Sequence, residues 1–166
     1  SKRIPRKNVR SFFGKPVIVY SIQAALQSNL FDEVMVSTDD PEIAEIALQY
    51  GAKVPFFRSA KNSNDFSGTF EVIEEVVAKY KTLNIHPTQI CCIYPCAPFI
   101  KSDQLIDSFR KLTEGNFDTV FPIVRYSTPV QRALMIKDEK IQMIEPQNAL
   151  VRTQDLTPSF FDAGMF

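Results

Sequence analysis

Val34-Met35-Val36-Ser37-Thr38-Asp39-Asp40-Pro41-Glu42-Ile43-Ala44-Glu45-Ile46-Ala47-Leu48-Gln49-Tyr50-Gly51 contains one complete change of period. Val34 to Ser37 is a short β-rich run behind the Phe31-Asp32-Glu33 turn. Asp40 can cap a helix, and Pro41 suits the first helical position, where a missing N–H leaves no bond unmade. Ile43, Ile46, Ala47 and Tyr50 then share one face, and Gly51 stops the helix. Strand, cap, helix and stop together make the opening of a βαβ unit.

The same alternation continues on both sides. Upstream, Pro16 to Ser28 predicts a helix with Ile18, Ile22, Ala25 and Leu26 on its apolar side. Downstream, Val54-Pro55-Phe56-Phe57 is extended, and its proline marks an edge or a strand end. Ser67 to Lys81 predicts a longer helix. Phe70, Ile73, Val77 and Tyr80 form its buried stripe, and Glu71, Glu74, Glu75 and Lys79 its wet side. The apolar run Ile90 to Tyr94 suits a strand covered on both faces. Ser102 is placed to cap a helix carrying Leu105, Ile106, Phe109 and Leu112, ending near Gly115, and Thr119 to Val124 is a further strand. Strands alternating with helices imply an α/β fold, with a mainly parallel sheet and helices on both faces. The pattern then changes. Residues 133–144 predict a β-hairpin with a charged Lys137-Asp138-Glu139-Lys140 turn, an excursion from the main sheet, and Glu145 to Pro158 reads as a surface loop.

A length of 166 residues predicts one domain. Nineteen basic and 19 acidic residues cancel, which argues against a dedicated nucleic-acid binder. No apolar run reaches the roughly 18 residues of a membrane span, and no signal-peptide pattern opens the chain. Cys91, Cys92 and Cys96 lack a C-x-x-C spacing and read as reduced, structural thiols, which favours a cytoplasmic setting. His86 is the only histidine, so a zinc site and a Ser-His-Asp triad are both disfavoured. The chain opens within a loop and stops at a strand-like Phe160 to Phe166, so the first strand and a C-terminal segment are expected to lie outside it.

Ligands of open α/β sheets bind beyond the carboxyl ends of the strands. Ser37 to Asp40, Arg58, Pro95 to Pro98 and Arg125 to Ser127 all fall at such ends. Ahead of the first helix, Lys2, Arg3, Arg6 and Lys7 put four cations around Pro5. Proline makes this a bent basic loop and not a basic helix. Such a loop suits a polyanion, with a nucleoside triphosphate the obvious candidate, or it is a solvated arm. Gly14-Lys15 lacks Walker spacing, and no G-x-G-x-x-G or G-x-S-x-G occurs.

Ser1 to Asn8, followed by Phe13-Gly14-Lys15-Pro16-Val17-Ile18, resembles the opening of the CMP-sugar synthetases for nine-carbon acidic sugars. Val36 to Ala44 with Tyr50-Gly51-Ala52 is similar to that family's second block. Phe56 to Ser59 with Asn64-Asp65 and Thr69 is similar to its third, and Tyr94 to Phe99 to its fourth. Tyr94, Ala97-Pro98-Phe99, Phe121 to Val124 and Phe161 to Phe166 look more like the pseudaminic acid branch than the sialic acid branch. The resemblance implies a Rossmann-like three-layer α/β/α nucleotidyltransferase fold. It implies transfer of CMP from CTP to an acidic nine-carbon sugar, with pyrophosphate released. Pseudaminic acid is the favoured sugar. The alternatives are a CMP-N-acetylneuraminate synthetase and a domain that binds nucleotide without turnover.

Site residues follow from the same resemblance. Lys2 and Lys7 match positions that hold the triphosphate and would be catalytic through charge. Asn8 matches a position near the cytidine and α-phosphate. Arg58 and Thr69 match positions at the nucleoside, and Pro95, in the fourth block, is a further nucleotide-binding candidate. Gln131, Arg132 and Asp162 are candidates for the sugar, against the plainer reading of exposed or strand-end side chains. Arg3 and Arg6 are open between phosphate contact and solvent. Asp39 and Asp40 could pair on a metal, but capping already explains Asp40, and Asp65 could simply make a turn. The family implies Mg²⁺, with its acidic ligands expected outside this chain, and a homodimer through the 133–144 hairpin.

Overall fold

A computed structural model describes residues 4–64 and 66–166. Lys2, Arg3 and Asp65 therefore lie outside the described residues. The chain forms two compact units, one of residues 1–120 with 164–166, the other of residues 121–163.

The first unit is built around helix α1 (Ile18–Ser28). One side of α1 packs Ile18, Val19 and Ile22 against Ala47 of α2 (Pro41–Gln49) and against Ala52. Val34, Val36, Ile43 and Val54 close over this cluster. Its other side packs Ala24 against Ala97, Ile100 and Leu105, the last from α4 (Ser102–Glu114). Before α1, strands β1 (Ser11–Phe12) and β2 (Lys15–Pro16) form a small antiparallel hairpin. Its turn needs positive φ at Phe13 (45°) and Gly14 (84°), so Gly14-Lys15 makes a tight hairpin turn.

Asp40 caps α2 as expected, accepting from the backbone N–H of Glu42 and Ile43. Gly51 follows α2 at φ 92°, a left-handed conformation that a side chain would strain. The third helix, α3 (Thr69–Thr82), buries Tyr80, whereas Phe70, predicted to share that stripe, is 68% exposed and does not join it. At α4 the expected Ser102 cap is displaced by one residue. Lys101 precedes the helix, and its N–H donates to Gln104 Oε1 at 2.9 Å.

The extensive parallel sheet is not what forms. Among the described residues, parallel pairing is limited to a bridge between Met35 and Lys53. There the Val36 N–H donates to Lys53 O and the Lys53 N–H to Val34 O, each at 2.8 Å. Ile90 to Tyr94 joins no ladder: Tyr94 N–H donates to Met165 O at 2.8 Å, and Ile90 and Cys91 are exposed. A strand covered on both faces needs neighbours for its backbone and its side chains, and this segment has few of either.

In the second unit, β3 (Ile123–Arg125) pairs antiparallel with β6 (Phe160–Asp162). The expected hairpin is present: β4 (Leu134–Lys137) pairs with β5 (Lys140–Met143), register Ile136 to Ile141. Asp138 and Glu139 both take positive φ, 51° and 61°, the geometry of a two-residue type I′ turn.

Candidate functional site

The basic loop is fastened to the first unit at several points. Arg6 takes a left-handed backbone, φ 53°, and its guanidinium pairs with Asp40 and Glu42. Arg6 is thus committed to the start of α2. Asp40 is shared between two tasks. Oδ1 accepts from the α2 amides at 2.9 and 3.4 Å, and Oδ2 accepts from Arg6. Arg6 first, then those amides, hold the Asp40 carboxyl below the usual carboxylate range.

Lys7 and Asn8 follow in a single 3₁₀ turn, Lys7–Val9, and both are half-buried. The Cys96 thiol donates to Asn8 Oδ1 at 3.2 Å. Burial pushes that thiol's pKa up, against the pull of the Lys7 ammonium, so the proton needed for the bond stays on sulfur. Cys96 and Pro95 form a turn, which places the Pro95 block beside the loop. Aromatic rings brace the contact: Phe12 meets Phe99 edge-on at 6.0 Å, and the Tyr20 hydroxyl donates to Phe12 O at 2.7 Å. Lys7, Asn8 and Pro95 are therefore brought together.

Arg58 approaches the same 37–40 segment from the other direction. Its Nη2 donates to Ser37 O at 2.6 Å, and its backbone N–H to Thr38 O at 2.9 Å. Its Nε is buried and has no partner among the described residues, an unspent donor at the rim. Thr69 is the first residue of α3 and is exposed.

The link between Arg58 and α3 is Glu75, which the helical period assigned to the wet side. Glu75 is instead half-buried. Oε1 accepts from the Ser59 N–H at 2.7 Å and meets Lys79 Nζ at 2.8 Å. Oε2 accepts from Ser59 Oγ at 2.7 Å and Asn62 Nδ2 at 2.6 Å. Lys79 foremost, and Ser59 next, hold the Glu75 carboxyl down to about 2. Lys79 also donates to Phe57 O and lies 4.9 Å from the centre of the Phe56 ring. A sequence signal existed in the i,i+4 spacing of Glu75 and Lys79, but nothing local marked the loop that folds over them.

The sugar candidates lie in the second unit. Gln131 Nε2 donates to Thr157 O at 2.8 Å and Ser159 Oγ at 3.1 Å, leaving Oε1 buried without a partner among the described residues. Arg132 Nη1 donates to Val151 O at 3.0 Å. Asp162 pairs in register with Ile123. Arg125, Tyr126, Thr153 and Ser159 line a cavity near Gln131 in this unit.

For Mg²⁺ the donor set does not fit. No group of three His, Cys, Asp or Glu side chains gathers among the described residues. Asp40 is already occupied by Arg6 and the α2 amides.

The cytidylyltransferase family profile matches residues 1–159. The chain belongs to the cytidylyltransferase family. It is 39% identical, over 100% of its length, to a pseudaminic acid cytidylyltransferase of Campylobacter jejuni, of which it covers 72%. It is 36% identical to the CMP-N,N'-diacetyllegionaminic acid synthase of Legionella pneumophila, over 74% of this chain and 54% of that protein. A solved structure of CMP:2-keto-3-deoxy-manno-octonic acid synthetase complexed with CTP aligns with a TM-score of 0.52 at 24% identity. That alignment covers 74% of this chain and 46% of the synthetase, and it establishes a shared mixed α/β fold. This cytidylyltransferase thus presents Lys7, Asn8, Pro95 and Arg58 on elements tied to one another within its first unit.

Proposed function

We propose that this cytidylyltransferase transfers CMP from CTP to a nine-carbon acidic sugar, pseudaminic acid first, and releases pyrophosphate. The observation that carries this reading is the identity to the Campylobacter relative across the whole chain. The anomeric hydroxyl of the sugar attacks the α-phosphorus, a C–O–P link forms, and the bond to the β-phosphate breaks. Catalysis of such transfers rests on positioning and on neutralising the departing charge. Lys7, with Lys2, supplies that charge as a compact ammonium, a point charge suited to spread phosphate oxygens. Asn8 donates to the nucleotide through Nδ2, because Cys96 occupies its oxygen. Arg58 and Thr69 read the cytosine and ribose, and Gln131, Arg132 and Asp162 attend the sugar. Mg²⁺ arrives as the counter-ion of the triphosphate.

A second reading, another nine-carbon acid as acceptor, is favoured by the Legionella relative over three quarters of the chain. The experiment is pyrophosphate release from CTP with pseudaminic, legionaminic and N-acetylneuraminic acids, Mg²⁺ present. Fastest release with pseudaminic acid is expected. Equal or faster release with another acid overturns the preference, and no release with any of them overturns the activity in favour of a nucleotide-binding domain.

The same reading includes a homodimer and a cytoplasmic setting, where nucleoside triphosphates are held. The hairpin supports the first, since Leu134, Ile136, Ile141 and Met143 share one face by register and Ile136 is 80% exposed. A second copy would cover that face, and sedimentation at micromolar concentration decides it. No helix among the described residues is long and apolar enough to cross a membrane.

A further inference from the structure

Glu75 has more polar contacts than any solvated helix position needs. Its two oxygens together take the Ser59 N–H, the Ser59 hydroxyl, the Asn62 amide and the Lys79 ammonium, all within 2.6 to 2.8 Å. Ser59 is the residue after Arg58, and Asn62 is buried. Asn62 Nδ2 also donates to Glu71 O at 3.2 Å, so the 59–62 turn is riveted to the α3 backbone as well. On the other side of Arg58, Lys79 holds Phe57 O. Both neighbours of Arg58 are thus governed by one carboxylate and its ion-pair partner. The Arg58 main chain is thus held from both sides, with its guanidinium laid against Ser37 O.

We propose that Glu75 is a positioning residue for Arg58, and that through it α3 sets the preference of the site for cytosine. The inference rests on the reading of Arg58 as the nucleobase contact. A planar guanidinium discriminates between bases only when its donors are held in place, because a mobile one finds an acceptor on either pyrimidine. Glu75 supplies acceptors on both carboxylate oxygens. A glutamine at this position has one acceptor oxygen and presents an NH₂ to the Ser59, Asn62 and Lys79 donors, which unpicks the turn without changing side-chain volume.

The experiment measures CTP and UTP affinity of the purified protein by calorimetry for the wild type, Arg58→Ala, Glu75→Gln and Ser59→Ala. Expected are about tenfold weaker CTP binding and a reduced CTP-over-UTP ratio in both Arg58→Ala and Glu75→Gln, with about threefold weaker binding and a smaller fall in that ratio in Ser59→Ala. A purely structural Glu75 would lower the unfolding midpoint and leave the ratio where it was. If Arg58→Ala changes the ratio and Glu75→Gln does not, the inference is overturned while the reading of Arg58 stands. If Arg58→Ala itself leaves CTP affinity and the ratio unchanged, the reading of Arg58 fails and takes the inference with it. Should Glu75→Gln not fold, Ser59→Ala decides alone: it deletes one hydroxyl contact, and an unchanged ratio there overturns the proposal.

Discussion

Segments 34–58 and 90–101 have the same reading in sequence, an apolar run ending in a polar turn, yet they differ in structure. In the first, the Val34 to Val36 backbone bonds Lys53, Thr38 O accepts from Arg58, and Asp40 starts a helix. Val34, Val36 and Val54 pack on the Ile18, Val19, Ile22 cluster. In the second, Tyr94 N–H finds Met165 O, Ser21 Oγ finds Tyr94 O, and Ile90 remains half in water. β-rich composition describes a surface that could be covered. A partner strand and a helix must still arrive to cover it.

The largest expected effect tests that contrast by truncation. Ile22, 3% exposed in the first cluster, should lose about 2–5 kcal/mol of stability on Ile22→Ala, the transfer cost plus a cavity. Ile90, 51% exposed, should lose less than about 0.5 kcal/mol on Ile90→Ala. Urea titrations of the two variants measure both. Equal losses would mean that residues 90–94 are as firmly packed as the α1 face, and the contrast would be broken.

What could be read in the sequence divides along the same line. α2 was legible because its signals are local: Asp40 and Pro41 start it, and Gly51 ends it, within 12 residues. The 134–143 hairpin was legible because apolar runs flank a two-residue charged turn. The site was only partly legible. Family-like residues Lys7, Asn8, Pro95 and Arg58 stand on connected elements, but the connectors were hidden. Glu75 sits on the polar side of its helix by period, and only the fold of residues 59–62 makes that side an inner one. Cys96 and Asn8 are 88 residues apart, and no pattern in either neighbourhood announces the bond. Arg6 resembled a phosphate ligand because cations surround it, whereas its partners lie 34 and 36 residues downstream.

Asp40 sharpens the comparison at an intermediate scale, because it serves the ordered segment in two separable ways. Asp40→Ala removes the cap and the Arg6 partner together and should cost about 1–2 kcal/mol. Asp40→Asn keeps an oxygen for the α2 amides and loses only the ion pair, so less than about 1 kcal/mol is expected. The sign with pH follows from the lowered Asp40 pKa. Its contribution is complete above the unfolded carboxylate value near 4 and disappears as pH falls through the lower folded value. Wild-type stability should therefore drop more steeply than that of Asp40→Asn on acidification below about pH 4. Parallel acid profiles for the two proteins would show that the Arg6 pair contributes nothing.

The smallest effect is the most specific to the second segment, which meets the basic loop through the Cys96 thiol on Asn8. A thiol is a weak donor, so its loss should matter little for folding. Its value is directional. With Oδ1 engaged, the Asn8 carboxamide keeps its NH₂ turned away from sulfur, the orientation in which it donates to a nucleotide oxygen. Cys96→Ala frees the carboxamide to rotate, and about half of the protein then offers an acceptor where a donor is needed. CTP affinity should fall about two- to threefold, equivalent to roughly 0.5 kcal/mol. Cys96→Ser restores a donor at nearly the same place and should recover the loss. An alanine variant as tight as the wild type, or a serine variant no better than alanine, would show that residues 90–101 support the site by bulk alone.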